Sequence, residues 1–124
     1  MVTENILLLE KDQAYGDIYD EYASTAFKKQ VSRRQFLKHS QCTEDILGNL
    51  VEFRRPDIKF VRENVKGQSY DLVALKVQRT NTEVVEHMTY VREGLNFKIN
   101  AFYWSSDKRR FKDCIRAVEK QTRS

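Results

Sequence analysis

The side chains able to move protons or act as nucleophiles are scattered along this chain. Tyr15, Tyr19 and Tyr22 recur at helical spacing with Asp20 among them, Glu86 precedes His87, and His39 stands three residues before Cys42. Phenol, carboxyl and imidazole groups exchange protons usefully when burial or a neighbouring charge brings their pKa values toward neutrality. A cysteine beside a histidine can serve as a nucleophile. These groups form no motif. Neighbours on a strand point to opposite faces, so Glu86 and His87 cannot line one pocket without a bulge. Nothing visible orients His39 toward Cys42, and tyrosines at helical spacing read as core residues whose hydroxyls reach the edge. The chain contains no Gly-rich phosphate loop, GxSxG elbow, HExxH helix or Cys/His cluster of zinc spacing. Nucleotide-loop, hydrolase-elbow and zincin chemistry are thereby set aside. No catalytic residue, metal or cofactor is predicted.

The elements that would position these groups belong to one domain, since 124 residues suffice for a single core without a metal or a disulfide framework. Hydrophobic residues make up 40% and charged residues 32%, with one proline and four glycines, a composition that folds. Cys42 and Cys114 read as two ordinary thiols; a bridge between them would need an oxidising compartment and close approach of two helices. The net charge is +4. Its basic residues cluster at Lys28, Lys29, Arg33, Arg34 and Lys38, at Arg54 and Arg55, and from Lys108 to Lys112, as solvated helix faces do. No reading motif accompanies them, so nucleic acid is not an expected partner. No run approaches the roughly 20 apolar residues of a membrane span, and MVTENILLLEKD lacks the cationic flank and cleavage site of a signal peptide.

Residues 4–29 read as helix, because Tyr15, Ile18, Tyr19, Tyr22, Ala23 and Ala26 fall on one stripe. Gly16 favours a break between the Ile6–Leu9 turn and the longer segment. Ser32 with Gln35 announces a second helix through a capping box, with Phe36, Leu37 and Ser40 inward. After an interruption near Gln41, Thr43 is expected to cap a third segment carrying Ile46, Leu47, Leu50 and Val51, and Pro56 ends the helical half.

From Asp57 the period becomes two. In YDLVALKVQR, Asp71, Val73, Leu75 and Val77 share a face. In LNFKINAFYW, Leu95, Phe97, Ile99, Ala101 and Tyr103 oppose Asn96, Lys98, Asn100, Phe102 and Trp104. IKFVREN and EVVEHMTYVR complete four strands, and the short connections at 66–69, 80–82 and 93–94 carry turn residues, which predicts antiparallel hairpins. Ser106 or Asp107 then caps a terminal helix over about 107–121, with Phe111, Cys114, Ile115 and Val118 inward.

Two families are similar to parts of this pattern. ILLLEKD and SYDLVALKV resemble the first and third strands of a bacterial response-regulator receiver, with Lys76 in place of the phosphorylated aspartate. That fold needs helices between its strands, and residues 57–104 leave no room for them, so a pseudo-receiver signalling domain lacking the phosphoacceptor aspartate stands as an alternative behind the reading that follows. From YGDIYDEY through FKKQVSRRQF and the Leu47-Gly48 pair to VVEHMTYV, headed by Glu86, and LNFKINAFYW, the chain resembles the nuclear transport factor 2-like, cystatin-like superfamily. More narrowly it is similar to small bacterial exported domains of unknown function. The resemblance implies N-terminal helices across a curved antiparallel sheet that closes into a cone. It also implies an export or lipoprotein signal, which this sequence lacks, and does not include the basic terminal helix.

The expectation is therefore an α+β domain spanning 1–124, with helices over about 4–55, some four meandering strands over 57–104 and a C-terminal helix. It would act as a non-catalytic module. Tyr15, Tyr19, Tyr22, Phe97 and Ile99 would line a cone holding a small apolar ligand, or the outer face with Phe102 and Trp104 would pair with a second copy or another protein. The superfamily's isomerases and cyclases make a pocket enzyme the alternative, with a carboxylate base and a tyrosine holding an oxyanion. The compartment is exported or periplasmic if a leader has been removed, and otherwise cytoplasmic.

Overall fold

The computed structural model describes residues 2–54, 59–105, 112–114 and 116, with the backbone alone for 103–105. Pro56, the Trp104 side chain and the predicted cap and inner face of the terminal helix, apart from Cys114, lie outside the described residues. Helices come first, an open antiparallel sheet follows, and residues 112–114 are again helical.

The N-terminal stripe is divided among three helices. In α1 (Val2–Lys11) the buried residues Thr3, Ile6, Leu7 and Glu10 follow the i, i+3, i+4, i+7 rule. Gln13 at φ 60° ends it, and α2 (Tyr15–Tyr22) buries Tyr15, Ile18 and Tyr19. The predicted single segment breaks a second time at Ser24, whose side chain accepts from the Phe27 amide and starts α3 (Thr25–Gln30). Between α2 and α3 the chain touches the sheet: Ala23 bridges Ile99, and the Ser24 amide donates to the Ile99 carbonyl at 2.8 Å.

The capping box is present at α4 (Arg33–Leu47), where the Gln35 amide donates to the Ser32 hydroxyl and the Gln35 side chain accepts from the Ser32 amide. Such a cap contributes about 1 kcal/mol. No interruption occurs at Gln41. The Thr43 hydroxyl donates back to the His39 carbonyl at 3.2 Å, a bond compatible with an unbroken helix. The helix ends at Gly48, where φ is 83°. A Cβ there would also run into Thr80 Oγ1, so this close approach requires glycine.

Leu50 and Val51, predicted as helix, begin strand β1 (Leu50–Phe53) instead. The reason is capture by the sheet just past Gly48: the Thr80 amide donates to the Asn49 carbonyl, and the Asn49 amide to Thr80 Oγ1. The remaining strands, β2 (Lys59–Val65), β3 (Gln68–Arg79), β4 (Glu83–Glu93) and β5 (Asn96–Ser105), sit where period two placed them. Lys66 and Gly67, both at positive φ, close the β2–β3 hairpin as a two-residue turn demands.

All strand pairs are antiparallel, and five strands replace the expected four. The order is β1-β3-β4-β5, with β2 on β3 beside β1. The sheet stays open and does not close into a cone. ILLLEKD lies mostly in helix α1, which removes the receiver likeness. The core lies between helices and one sheet face, where Val73, Leu75, Val77, Met88, Tyr90 and Ile99 meet Ile6, Leu7 and Ile18. Full burial of such a side chain stabilises by about 1.5–3 kcal/mol.

Three face assignments at and before β5, those of Leu95, Ala101 and Phe102, are corrected. Leu95 sits in the turn before the strand and is 91% exposed. Register shifts between Thr89 and Tyr90, which pair with Ala101 and Ile99, so Asn100 is an extra residue that reverses the alternation. Phe102 consequently faces the core, opposite Met88 and against the Phe36 ring at 6.3 Å.

The cysteines are not free thiols: Cys42 on α4 is bonded to Cys114, with Cα atoms 5.9 Å apart. That distance lies within the range a disulfide spans. It joins the C-terminal segment to the helical layer.

Candidate functional site

The five residues expected to line a ligand cone belong to packed core and its rim. Tyr15 and Tyr19 are 5% and 7% exposed and Ile99 1%, while Tyr22 and Phe97 are partly buried against the same cluster. The Tyr15 and Tyr19 rings lie 6.5 and 5.5 Å from Phe36, spacings typical of favourable aromatic pairs. Their hydroxyls are engaged: Tyr15 donates to Glu44 at 2.5 Å and Tyr19 to the Val31 carbonyl at 2.7 Å. Cys42, being bridged, is no nucleophile for His39 to activate.

A buried ionic cluster escaped the sequence reading. Arg79 ends the inward row Asp71, Val73, Leu75, Val77 on β3, and Glu10 completes the stripe of α1; both side chains are 0% exposed. The Arg79 guanidinium donates to Glu10 and, at 2.7 Å, to the Gly48 carbonyl, with Glu44 at 3.6 Å. Burial opposes the charged guanidinium, yet Glu10, then Tyr15, and Glu86 act on it so that its pKa is raised. Glu86, inward on β4 between Val84 and Met88, is also 0% exposed, and the Tyr90 hydroxyl shares a 2.8 Å hydrogen bond with Thr3. This arrangement ties α1, the end of α4 and the sheet together. Sealed from solvent, it is built to hold the fold. In both elements the signal was phase: each charge falls on the apolar period.

The cluster has a titration consequence. Burial, then the charge of Glu10, pushes the Tyr15 phenol far above its ordinary value of 10.0; burial does the same to Tyr90. The folded state therefore holds these protons more tightly than the unfolded state. Their contribution is fully present below about pH 10 and is lost as pH rises beyond it. In an alkaline titration followed by phenolate absorbance, Tyr15 and Tyr90 should ionise only as the circular dichroism of the fold disappears. If all six tyrosines ionise with that signal unchanged, this burial is wrong.

The exposed chemistry lies on the opposite side. All seven residues of β2 are exposed, with Phe60 at 59%, Val61 at 55% and Val65 at 49%. β2 pairs with β3 along one edge, and among the described residues no strand pairs with its other edge. Cross-strand register sorts its side chains. Lys59, Val61 and Glu63 share the outer face with Ala74, Leu72 and Tyr70; Phe60 and Arg62 share the helix side with Val73 and Asp71. Arg62 Nε donates to Asp71 at 2.8 Å.

Two rows cross the outer face, one through Val61, Leu72, Thr89 and Ala101 and one through Lys59, Ala74 and His87. Between them lies a shallow depression of about 210 Å³. Phe102 belongs to neither row. The opposite edge differs, because Ala23 and Ser24 occupy the middle of β5. Among the described residues no helix is long and apolar enough to cross a membrane, and no group of three or more His, Cys, Asp and Glu is placed to hold a metal ion. Comparison with protein-family models, with curated proteins and with solved structures gave no match.

Proposed function

We propose that this chain is a non-catalytic interaction module of the nuclear transport factor 2-like, cystatin-like superfamily that takes up an extended polypeptide along β2. Helices preceding an antiparallel meander support the superfamily part. The observation that carries the binding part is β2 itself: a seven-residue strand, exposed throughout, bearing Phe60, Val61 and Val65. An added strand would gain main-chain hydrogen bonds from the edge that no described strand occupies and selectivity from alternate side chains against the adjoining depression. The pocket-enzyme reading has less support, since Glu10 and Glu86 are sealed carboxyls and Tyr15, Tyr19 and Ile99 pack as core. The Cys42–Cys114 bridge supports an oxidising compartment.

Peptide display on the immobilised protein tests this. Sequences alternating apolar and polar residues should be recovered, and should bind at least about tenfold more weakly, a loss of roughly 1.4 kcal/mol, to the double variant Phe60→Asp/Val61→Asp. Both positions are exposed, so the fold should be kept, as circular dichroism would verify. Equal binding to the two proteins, or no strand-like peptide recovered by a chain that is monomeric in sedimentation, would sink the proposal.

A further inference from the structure

An edge strand is ordinarily kept from pairing by charge, and β2 carries Lys59, Arg62 and Glu63 among its apolar residues. The order of these charges has a symmetry. About Val61, Lys59 and Glu63 stand two residues to either side, and Phe60 and Arg62 one residue to either side. When two identical strands run antiparallel with residue 61 on the two-fold axis, residue 59 of each meets residue 63 of the other.

We infer that the partner of the β2 edge is a second copy of this chain, paired antiparallel through β2 with Val61 opposite Val61. On the outer face, Lys59 of each copy lies opposite Glu63 of the other, flanking a central apolar contact. On the helix side, Phe60 of each lies opposite Arg62 of the other, which sets a guanidinium beside an aromatic ring. A register centred on Arg62 would place two arginines in opposition, and one centred on Glu63 two glutamates. Opposite charges across a strand pair attract and like charges repel, which disfavours both of those registers, and among registers centred on 60 to 63 only the Val61 one sets Lys59 opposite Glu63. The two five-strand sheets then join into one. This inference rests on the β2 docking reading and supplies its partner.

Val61→Cys gives the test. Directly opposed antiparallel residues have Cα atoms about 4.5–5.5 Å apart, within disulfide reach, and the native cysteines are already bonded to each other. Under mild oxidation Val61→Cys should form a covalent dimer, whereas Lys59→Cys and Glu63→Cys, four residues from their own images, should not. Charge reversal checks the register independently. Lys59→Glu and Glu63→Lys should each weaken self-association in sedimentation by about tenfold or more, since each sets two like-charge pairs across the interface. The two single variants mixed together should associate, as should the chain carrying both changes.

Cross-linking that peaks at residue 62 or 63, or charge variants that associate like the wild type, would overturn the register and with it the inference. A wild-type chain that stays monomeric at high concentration with no Val61→Cys dimer would overturn it too. In that case retained binding of displayed peptides would leave the docking reading standing, whereas loss of both would remove both.

Discussion

Arg79→Ala should lower the free energy of unfolding by about 3–5 kcal/mol, the usual cost of removing one partner from a buried ion pair. Arg79 is fully buried, and so is Glu10, to which it donates. Without the guanidinium, the Glu10 carboxyl stays in a site that water does not reach and the Gly48 carbonyl loses its donor. A buried acceptor left alone costs roughly 1–3 kcal/mol by itself. Urea denaturation of the single variant measures the sum. The double variant Arg79→Met/Glu10→Gln separates the pair from its surroundings: removing both charges should recover a good part of the loss, because an ion pair buried this deeply contributes little net stability over neutral groups of similar size. Were Arg79→Ala to cost less than about 1 kcal/mol, the guanidinium could not occupy this position.

Reduction of the Cys42–Cys114 bridge should cost about as much. The two residues are 72 apart in sequence, and closing a loop of that length restricts the unfolded chain by about 4 kcal/mol in the chain-entropy treatment. For a domain of this size such a loss lowers the melting temperature by roughly 10 °C or more. Cys42 is fully buried, so the comparison is best made with Cys42→Ala/Cys114→Ala beside the oxidised wild type in calorimetry. Coincident melting curves would mean that the bond does not form in solution. The site lies on α4, away from β2, so self-association through the edge should be unchanged in the variant at a temperature where it is folded.

These two effects arise from features the sequence did not display, for different reasons. A disulfide between distant residues depends on where the chain brings them, and neither spacing nor composition carries that. Arg79 and Glu10 were in plain view as charges, and their phase with Val77 and with Ile6 and Leu7 marked them as inward. Charged side chains are almost never fully buried unless paired, and the pairing of these two depends on how α1 packs against β3. The strands of the second half were legible because period two and turn residues agree at each hairpin. Phe102 was misplaced because one extra residue at Asn100 inverts the alternation. Leu50 and Val51 continued a helical pattern of Ile46 and Leu47, and only the positive φ at Gly48 ends it. The β2 edge was legible as strand; its exposure was not, since that depends on how far the helices extend over the sheet.

The contact of Ala23 and Ser24 with Ile99 makes the two ends of the sheet unlike. Growth by edge pairing needs a free border at each end, as fibrils have. Here, among the described residues, one border is interrupted, so the inferred joining of two copies would consume the open ones and the assembly would terminate. If copies join through β2 as inferred above, that short link between helices would act as a stop against polymerisation, and a chain in which it is detached from the sheet should form filaments detectable by light scattering.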